Sequence, residues 1–209
     1  MSRTPTLFVV DPDESARRLI QSIAEEMKVA CQFFAKAEDF LAAYRDDCPG
    51  CLLTEFRLLG MNGIELQETL AADCSSLPII YIAASPEIRI SVQAMQNGAI
   101  TVLEKPLSYQ ELWDSIRRAI TRDEQTRRID ARHTLVRRRL GLLTEKERQV
   151  LDLMIQGKAN KQIASRLDVS LRTVEARRHQ IFKKTKTQSV AELVRLILSS
   201  ETDDMMDES

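Results

Sequence analysis

The sequence predicts an α/β doubly wound (βα)5 domain followed by an all-α four-helix helix-turn-helix domain. Apolar strands alternate with helical periods five times in the first part of the chain, whereas only helices with clear capping signals follow Leu142. Charge divides in the same way: residues 1–121 contain 11 Lys and Arg against 17 Asp and Glu, and residues 144–199 contain 12 against 6. An acidic domain joined to a basic one is expected when only the second domain approaches a polyanion.

Five strand and helix units account for residues 1–121. Short apolar runs predict strands at residues 7–10, 31–34, 52–53, 78–82 and 101–103. Helical spacing of apolar side chains predicts helices at residues 15–27, 37–44, 64–72, 87–97 and 109–120. Parallel strands need right-handed crossovers and must be covered on both faces, so these units predict a parallel sheet between two layers of helices.

In such a sheet, polar chemistry collects at the carboxyl ends of the strands. The residues at those ends are candidates for one shared pocket: Asp11, Asp13, Glu55, Ala83 and Lys105. Taken singly, each could be an ordinary strand end or surface charge. As a set they predict a functional pocket.

Capping signals divide the second domain into helices. The first and fourth helices begin with capping boxes at Thr144 and Ser189, and Ser170 caps the third. Helices are therefore expected at about residues 145–157, 160–167, 171–185 and 190–198. The second and third, joined by the short turn at residues 168–170, predict a helix-turn-helix.

The first domain resembles the receiver domains of two-component systems. The resemblance rests on Val9-Val10-Asp11, on the loop at residues 55–63, on residues 77–80, on Gly98-Ala99, and on Lys105-Pro106 with its predicted cis peptide bond. It implies a pocket in which two adjacent carboxylates hold Mg²⁺, an Asp accepts phosphate, and a hydroxyl and a Lys contact the phosphoryl group.

Several positions depart from that pattern. Glu55 replaces the acceptor Asp, and its extra methylene moves the oxygens roughly a bond length outward. Pro12 replaces the second acid and offers no carboxylate to Mg²⁺. Ala83 offers no hydroxyl, and Val102 replaces the switch aromatic. A degenerate receiver is therefore expected, one that is not phosphorylated, has no catalytic residue and binds no cofactor, Mg²⁺ included.

Lys105 matches the lysine of the receiver pattern, and we expect it to form an ion pair with Glu55. Such a pair would imitate the contact between phosphoryl-aspartate and lysine and would hold the domain in one state.

Residues 142–199 resemble the LuxR-type DNA-binding domain of FixJ/NarL-class regulators. The likeness rests on LTEKERQVL at residues 143–151, NKQIA at residues 160–164 and Ser170-x-x-Thr173-Val174-Glu175. It implies that the third helix enters the major groove of double-stranded DNA. Three residues fall where family members meet base edges: Glu175, Ala176 and His179. Five others are better placed for phosphates: Lys161, Arg172, Thr173, Arg178 and Lys183.

The remaining segments have simpler predictions. Residues 122–143 contain no Pro or Gly before Gly141, which predicts a helical linker, and their apolar spacing is too irregular for a coiled coil. Residues 200–209 contain five acids and no base, which predicts a disordered acidic tail. Cys48 and Cys51 have redox spacing, but a strand rather than a helix follows them, so turn and core roles are favoured.

The function predicted is sequence-specific, DNA-binding regulation of transcription by a protein that is not an enzyme. No apolar run is long enough to cross a membrane, so a cytoplasmic protein without a membrane partner is expected. Palindromic DNA sites require paired modules, so a homodimer is expected, with the face around residues 86–118 as a candidate interface. A protein partner or an unknown ligand could control the receiver. Two alternatives stay open: a phosphorylation-switched regulator that uses Glu55 or Asp13, and an interaction adaptor.

Overall fold

The computed structural model describes residues 4–201, and side chains as far as Leu198. Two compact units divide the chain between Arg127 and Arg128. The first is α/β and the second is helical, which confirms the predicted fold class.

The α/β unit contains five parallel strands with helices between them. The strands are β1 (Thr6–Val10), β2 (Ala30–Phe34), β3 (Gly50–Glu55), β4 (Ile79–Ala83) and β5 (Thr101–Glu104). The helices are α1 (Glu14–Glu26), α2 (Ala37–Ala43), α3 (Gly63–Ala72), α4 (Ile88–Gln96) and α5 (Tyr109–Gly141). The strand order is β2-β1-β3-β4-β5. Val10 of β1 lies opposite Thr54 of β3. The next residues along the chain, Asp11 and Glu55, therefore lie side by side.

Both faces of the sheet are buried. Leu7 and Val9 pack into one apolar cluster, and Phe8 and Val10 pack into the other. All four side chains are at most 3% exposed. Each such burial contributes roughly 1.5–3 kcal/mol, which explains why successive strand residues are apolar.

Strand β3 begins at Gly50, two residues before its predicted start. Gly50 has a φ of 150°, and a Cβ atom there would lie 1.8 Å from the carbonyl oxygen of Thr6. The N–H of Gly50 donates to Oδ2 of Asp123 at 2.9 Å, and Asp123 in turn accepts from Nε of Arg127 at 2.9 Å. These contacts fasten α5 to the amino end of β3.

The helical unit contains α6 (Glu145–Ile155), α7 (Asn160–Arg166), α8 (Leu171–Thr185) and α9 (Val190–Glu201). The capping box predicted at Thr144 is present: Thr144 Oγ1 accepts from the N–H of Glu147 at 3.3 Å, and Glu147 Oε2 accepts from the N–H of Thr144 at 2.7 Å. The buried core is apolar: Leu143, Val150, Leu151, Leu153, Met154, Ile163, Val174, Ile181 and Leu193.

Helix α5 runs through the predicted helical linker, whereas α9 ends beyond its predicted position. Helix α5 continues to Gly141, as expected where no Pro or Gly interrupts it, and Leu140 packs against the core of the helical unit. Helix α9 ends at Glu201, three residues beyond the predicted Leu198. The rest of the predicted acidic tail, residues 202–209, lies outside the described residues.

None of the four cysteines forms a disulfide bond. Cys51 is fully buried in β3, where burial raises its pKa, and burial raises the pKa of Cys31 to about 12. A neutral Cys51 thiol in the core and a half-buried Cys48 in the preceding turn agree with their predicted structural roles. Within residues 4–201, no helix combines the length and the apolar character that a membrane span requires.

Candidate functional site

The five residues predicted to share a pocket line one cavity of about 790 Å³ at the carboxyl end of the sheet. Asp11 follows β1, Glu55 and Ala83 are the last residues of β3 and β4, and Lys105 follows β5. Asp13 is the N-cap of α1. The parallel topology therefore brings together residues that are up to 94 positions apart in the chain, from Asp11 to Lys105.

The ammonium of Lys105 lies among three carboxylates. Its Nζ is 2.8 Å from Asp11 Oδ2, 3.3 Å from Asp13 Oδ2 and 3.3 Å from Glu55 Oε2. The predicted ion pair between Glu55 and Lys105 is present, but the shortest contact is with Asp11. An ammonium has three N–H donors, so one oxygen from each acid can satisfy it.

The second oxygen of each acid is held by a nearby N–H. Asp11 Oδ1 accepts from the N–H of Asp13 at 2.8 Å, and Glu55 Oε1 accepts from the N–H of Phe56 at 3.0 Å. Asp13 Oδ1 accepts from the N–H and the hydroxyl of Ser15, at 2.9 and 2.6 Å. The three carboxylates are therefore oriented by local structure, with one oxygen each directed at Lys105.

Electrostatics favour the charged form of this lysine. Burial disfavours the ammonium, whose side chain is 17% exposed, yet Asp11 and Glu55 raise the pKa of Lys105 above its ordinary value. Asp11 Oδ2 is buried and accepts no hydrogen bond of good geometry, so the ammonium at 2.8 Å is what balances its charge.

A pH dependence of stability follows at Asp13. Hydrogen bonds from Ser15, opposed by partial burial and supported by Lys105, lower the pKa of Asp13 from 3.8 to about 2. A carboxyl whose pKa is lower in the folded state than in the unfolded chain stabilises the fold at pH values above its unfolded-state pKa. That contribution is lost as the pH falls through its folded-state pKa. Between pH 4 and 2, the free energy of unfolding of the wild type should therefore fall more steeply than that of Asp13→Asn, which keeps a capping oxygen. Urea unfolding followed by the fluorescence of Trp113, the only tryptophan, measures this difference. Parallel slopes would contradict it.

Helix α8 presents the side chains predicted to contact DNA. Val174 and Ile181 are fully buried and Phe182 packs against the same core, as predicted. The exposed residues recur every three or four positions and so share one face of the helix: Arg172, Glu175, Ala176, His179 and Lys183. These side chains are open to solvent, as contact with the base edges of a major groove requires.

Three further predicted residues differ in their surroundings. Lys161 is exposed on α7. Thr173 is half-buried, and its N–H and hydroxyl lie 3.1 and 2.7 Å from the hydroxyl of the N-cap Ser170. The guanidinium of Arg178 lies 5.7 Å from the ring centre of Phe182. Gln180 is exposed as well and was not predicted, although its spacing of four residues from Ala176 is a signal that could have found it.

An ion pair fixes α8 against α6. Nζ of Lys184 lies 2.6 Å from Oε2 of Glu147, which is 7% exposed. Burial disfavours the Glu147 carboxylate, yet Lys184 and Thr144 hold the pKa of Glu147 below its ordinary value. At the same C-terminal end of α8, Nη1 of Arg139 donates to the carbonyl oxygen of Thr185 at 3.3 Å. The end of α8 is therefore held by two polar contacts while its outer face stays open.

The two units match two protein-family models. Residues 7–117 match the response regulator receiver domain, and residues 141–197 match the luxR family of bacterial regulatory proteins. The chain belongs to the response regulators with a LuxR-type DNA-binding domain. It is a transcriptional regulator, and its LuxR-type domain implies DNA as a partner.

Several known response regulators are similar to this chain over most of its length. The transcriptional regulatory protein FixJ of Azorhizobium caulinodans is 34% identical over 199 residues, which cover 95% of this chain and 94% of FixJ. The response regulator protein TodT of Pseudomonas putida is 30% identical over 194 residues, covering 93% and 86%. The solved structure of the response regulator StyR has a TM-score of 0.88 at 37% identity, covering 93% of this chain and 98% of StyR.

The receiver of this response regulator does not fit the Mg²⁺ ion that its family implies. Pro12 offers no carboxylate, and the free oxygens of the three acids already surround the ammonium of Lys105. In the part of the chain that the structure describes, no group of His, Cys, Asp and Glu side chains is arranged to hold a metal ion.

Three contacts beside the receiver pocket could not be found from the sequence. Nη2 of Arg57 lies 2.8 Å from Oε1 of Glu87, joining the loop after β3 to the start of α4. The Tyr81 hydroxyl donates to Gln67 Oε1 at 3.0 Å, and the ring of Phe56 stacks on Tyr81 at 4.2 Å. Each pair joins residues from different elements, so no local pattern marks it.

Proposed function

We propose that this transcriptional regulator works without phosphorylation of its receiver, which the contact between Lys105 and Glu55 holds in one state. The observation that carries this proposal is the 3.3 Å distance between Lys105 Nζ and Glu55 Oε2. It joins a permanent carboxylate to the lysine that would otherwise contact a phosphoryl group.

The surroundings of Glu55 support the proposal. One oxygen of its carboxylate is held by the N–H of Phe56 and the other by Lys105, so neither points freely toward a phosphodonor. Ala83 offers no hydroxyl to a phosphate oxygen. A phosphoryl group on Glu55 would therefore meet neither the metal nor the hydroxyl that stabilise it in a working receiver.

Regulation is then expected to act through dimerisation, or through a protein partner or ligand at the receiver. The face around residues 86–118 is the proposed homodimer surface. Ile88, Val92 and Met95 on α4 are 84, 49 and 47% exposed and border a shallow groove against Thr101 and Val102 of β5. Apolar side chains exposed together in this way are characteristic of protein interfaces.

The proposed DNA contacts divide into two kinds. Glu175, Ala176 and His179 would read base edges, and a Glu can accept from the amino group of cytosine. Lys161, Arg172, Thr173, Arg178 and Lys183 would contact phosphates and set the dependence of binding on salt. Arg178 would do so from a guanidinium that lies 5.7 Å from the ring centre of Phe182.

Mass spectrometry and light scattering test the receiver directly. The wild type is incubated with acetyl phosphate and Mg²⁺, or with beryllofluoride and Mg²⁺, and its intact mass, oligomeric state and affinity for a promoter-fragment pool are measured. All three should be the same with and without the phosphodonor or its mimic. Glu55→Asp, which restores the acceptor of the family, is the matched comparison for phosphate uptake.

A phosphorylation-switched regulator is the second candidate. Asp13 favours this candidate, because its carboxylate lies at the edge of the pocket with 39% of the side chain exposed, where a phosphodonor can reach it. A wild-type protein that gains a phosphoryl group, or that dimerises only with beryllofluoride, would establish this alternative and overturn the proposal.

A further inference from the structure

Tyr81 is a polar side chain in the middle of a strand that is otherwise apolar. It is fully buried in β4, where the other four residues are aliphatic. Its hydroxyl lies 2.8 Å from the carbonyl oxygen of Gly63, the first residue of α3, and 3.0 Å from Oε1 of Gln67 on the same helix. A buried tyrosine hydroxyl needs a hydrogen-bond partner, and here both partners belong to α3. The start of α3 is therefore tied to the centre of β4.

The amide of Gln67 continues this contact to the C-terminal end of α4. The side chain is 4% exposed, and its Nε2 donates to the carbonyl oxygens of Ala94 at 3.3 Å and of Asn97 at 3.0 Å. Asn97 is the C-cap residue of α4, and the last carbonyl groups of a helix have no partner within the helix. Because Nε2 must face these two oxygens, Oε1 must face the hydroxyl of Tyr81. The amide therefore has one favourable orientation.

Helix α4 buries few of its own side chains. Of its nine residues, all of which the structure describes, only Ala94 is buried, and Ile90 packs partly against the same core. Its N-cap residue, Glu87, makes no capping hydrogen bond with its side chain, and the ion pair of Glu87 with Arg57 is exposed. Exposed ion pairs contribute little to stability, whereas the loss of a buried donor leaves its acceptors unsatisfied. The two hydrogen bonds from Gln67 are therefore expected to determine where this helix ends in space.

We propose that Gln67 is a positioning residue: oriented by Tyr81, it fixes the C-terminal end of α4 and with it the homodimer surface on that helix. Met95 directly follows Ala94, whose carbonyl oxygen Gln67 contacts, and Val92 lies two residues before it. A shift of this helix end would displace both exposed apolar side chains together. The statement about the surface rests on the proposed function, whereas the statement about α4 does not.

Amide hydrogen exchange of the full-length protein, followed by mass spectrometry of its peptides, tests the position of α4. Gln67→Met keeps the length of the side chain and removes its donor group. Peptides that cover residues 88–98 should exchange about tenfold faster than in the wild type, because the end of the helix opens more often. Peptides from α1 should exchange as in the wild type. Unchanged exchange in α4, or an equal rise in α1 that shows general destabilisation, would overturn the proposal.

Two further variants locate the effect in the buried hydrogen bonds. Tyr81→Phe keeps the ring that stacks on Phe56 and removes only the hydroxyl that orients Gln67. It should raise exchange in α4 about threefold, and it provides the same test if Gln67→Met does not fold. Gln125→Met makes the matched substitution at an exposed position of α5 and should leave α4 unchanged. A rise in Gln125→Met as large as that in Gln67→Met would count against the proposal.

Sedimentation equilibrium of the same variants measures the dissociation constant of the homodimer. Gln67→Met should raise that constant at least about fivefold, because the surface is in its binding position less often, and Gln125→Met should not. Faster exchange in α4 with an unchanged dissociation constant would overturn the link between Gln67 and the surface. A wild type that stays monomeric would instead overturn the homodimer surface of the proposed function, and hydrogen exchange would still decide the role of Gln67.

Discussion

Reversing two charges on α8, in Arg172→Glu/Lys183→Glu, is expected to weaken DNA binding by about 100-fold at physiological salt. Both side chains are exposed on the helix face that carries Glu175 and His179. Each lost phosphate contact removes counterion release as well as attraction, so the slope of log K against log salt should fall by about 2. Fluorescence anisotropy at several salt concentrations, with a site selected from the promoter pool, measures both quantities.

A matched variant separates this effect from the change in net charge. Lys146→Glu/Arg195→Glu makes the same two reversals at exposed positions of α6 and α9. It should retain most of the affinity, whereas equal losses in the two double variants would mean that α8 is not the contacting surface. Circular dichroism should show unchanged helix content in both, because neither variant touches the buried core.

Loss of the Arg127 guanidinium, in Arg127→Met, is expected to lower the free energy of unfolding of the α/β unit by about 3–5 kcal/mol. Asp123 is 1% exposed, and Arg127 is its only cationic partner in the structure described, with Nε 2.9 Å from both carboxylate oxygens. The same guanidinium donates to the carbonyl oxygens of Asp46 and Cys48 at 2.6 and 2.9 Å. The variant therefore leaves a buried charge and two acceptors without their donor. Urea unfolding followed by Trp113 fluorescence reports on this unit alone.

Two controls locate the cause of that destabilisation. Arg122→Met removes an exposed arginine from the same helix and should change stability by less than about 0.5 kcal/mol. Adding Asp123→Asn to Arg127→Met removes the uncompensated charge but keeps an acceptor for the N–H of Gly50, so part of the loss should return. A double variant as unstable as the sum of its single changes would show that the two residues act independently.

The order and type of the elements were predictable from the chain alone. Strands such as β1 are apolar at every position because both faces of the sheet are covered, and the helices carry local capping signals such as the box of Thr144 and Glu147. These signals depend on residues a few positions apart, so a linear sequence contains them in full. The least accurate start was that of β3, whose first residue is fixed by contacts with Thr6 and Asp123.

The sequence predicted more of the exposed face of α8 than of the contacts inside the receiver pocket. The exposed face of α8 followed from helical periodicity around Val174 and Ile181, with Gln180 as the omission. For the receiver pocket, strand ends predicted which residues meet, and the ion pair of Glu55 with Lys105 was anticipated. The sharing of Lys105 by three acids was not, since it depends on side-chain directions that a sequence pattern does not specify.

The sequence by itself determined the two fold classes, the division of charge between the domains and the residues at the strand ends, Glu55 among them. The tertiary structure alone decided that Asp11 is the nearest acid to Lys105, and that Arg127 and Asp123 fasten α5 to β3. The physical reason is distance along the chain. Periodicity and capping arise between neighbouring residues, whereas a buried charge takes the partner that packing brings within about 3 Å, from any part of the sequence.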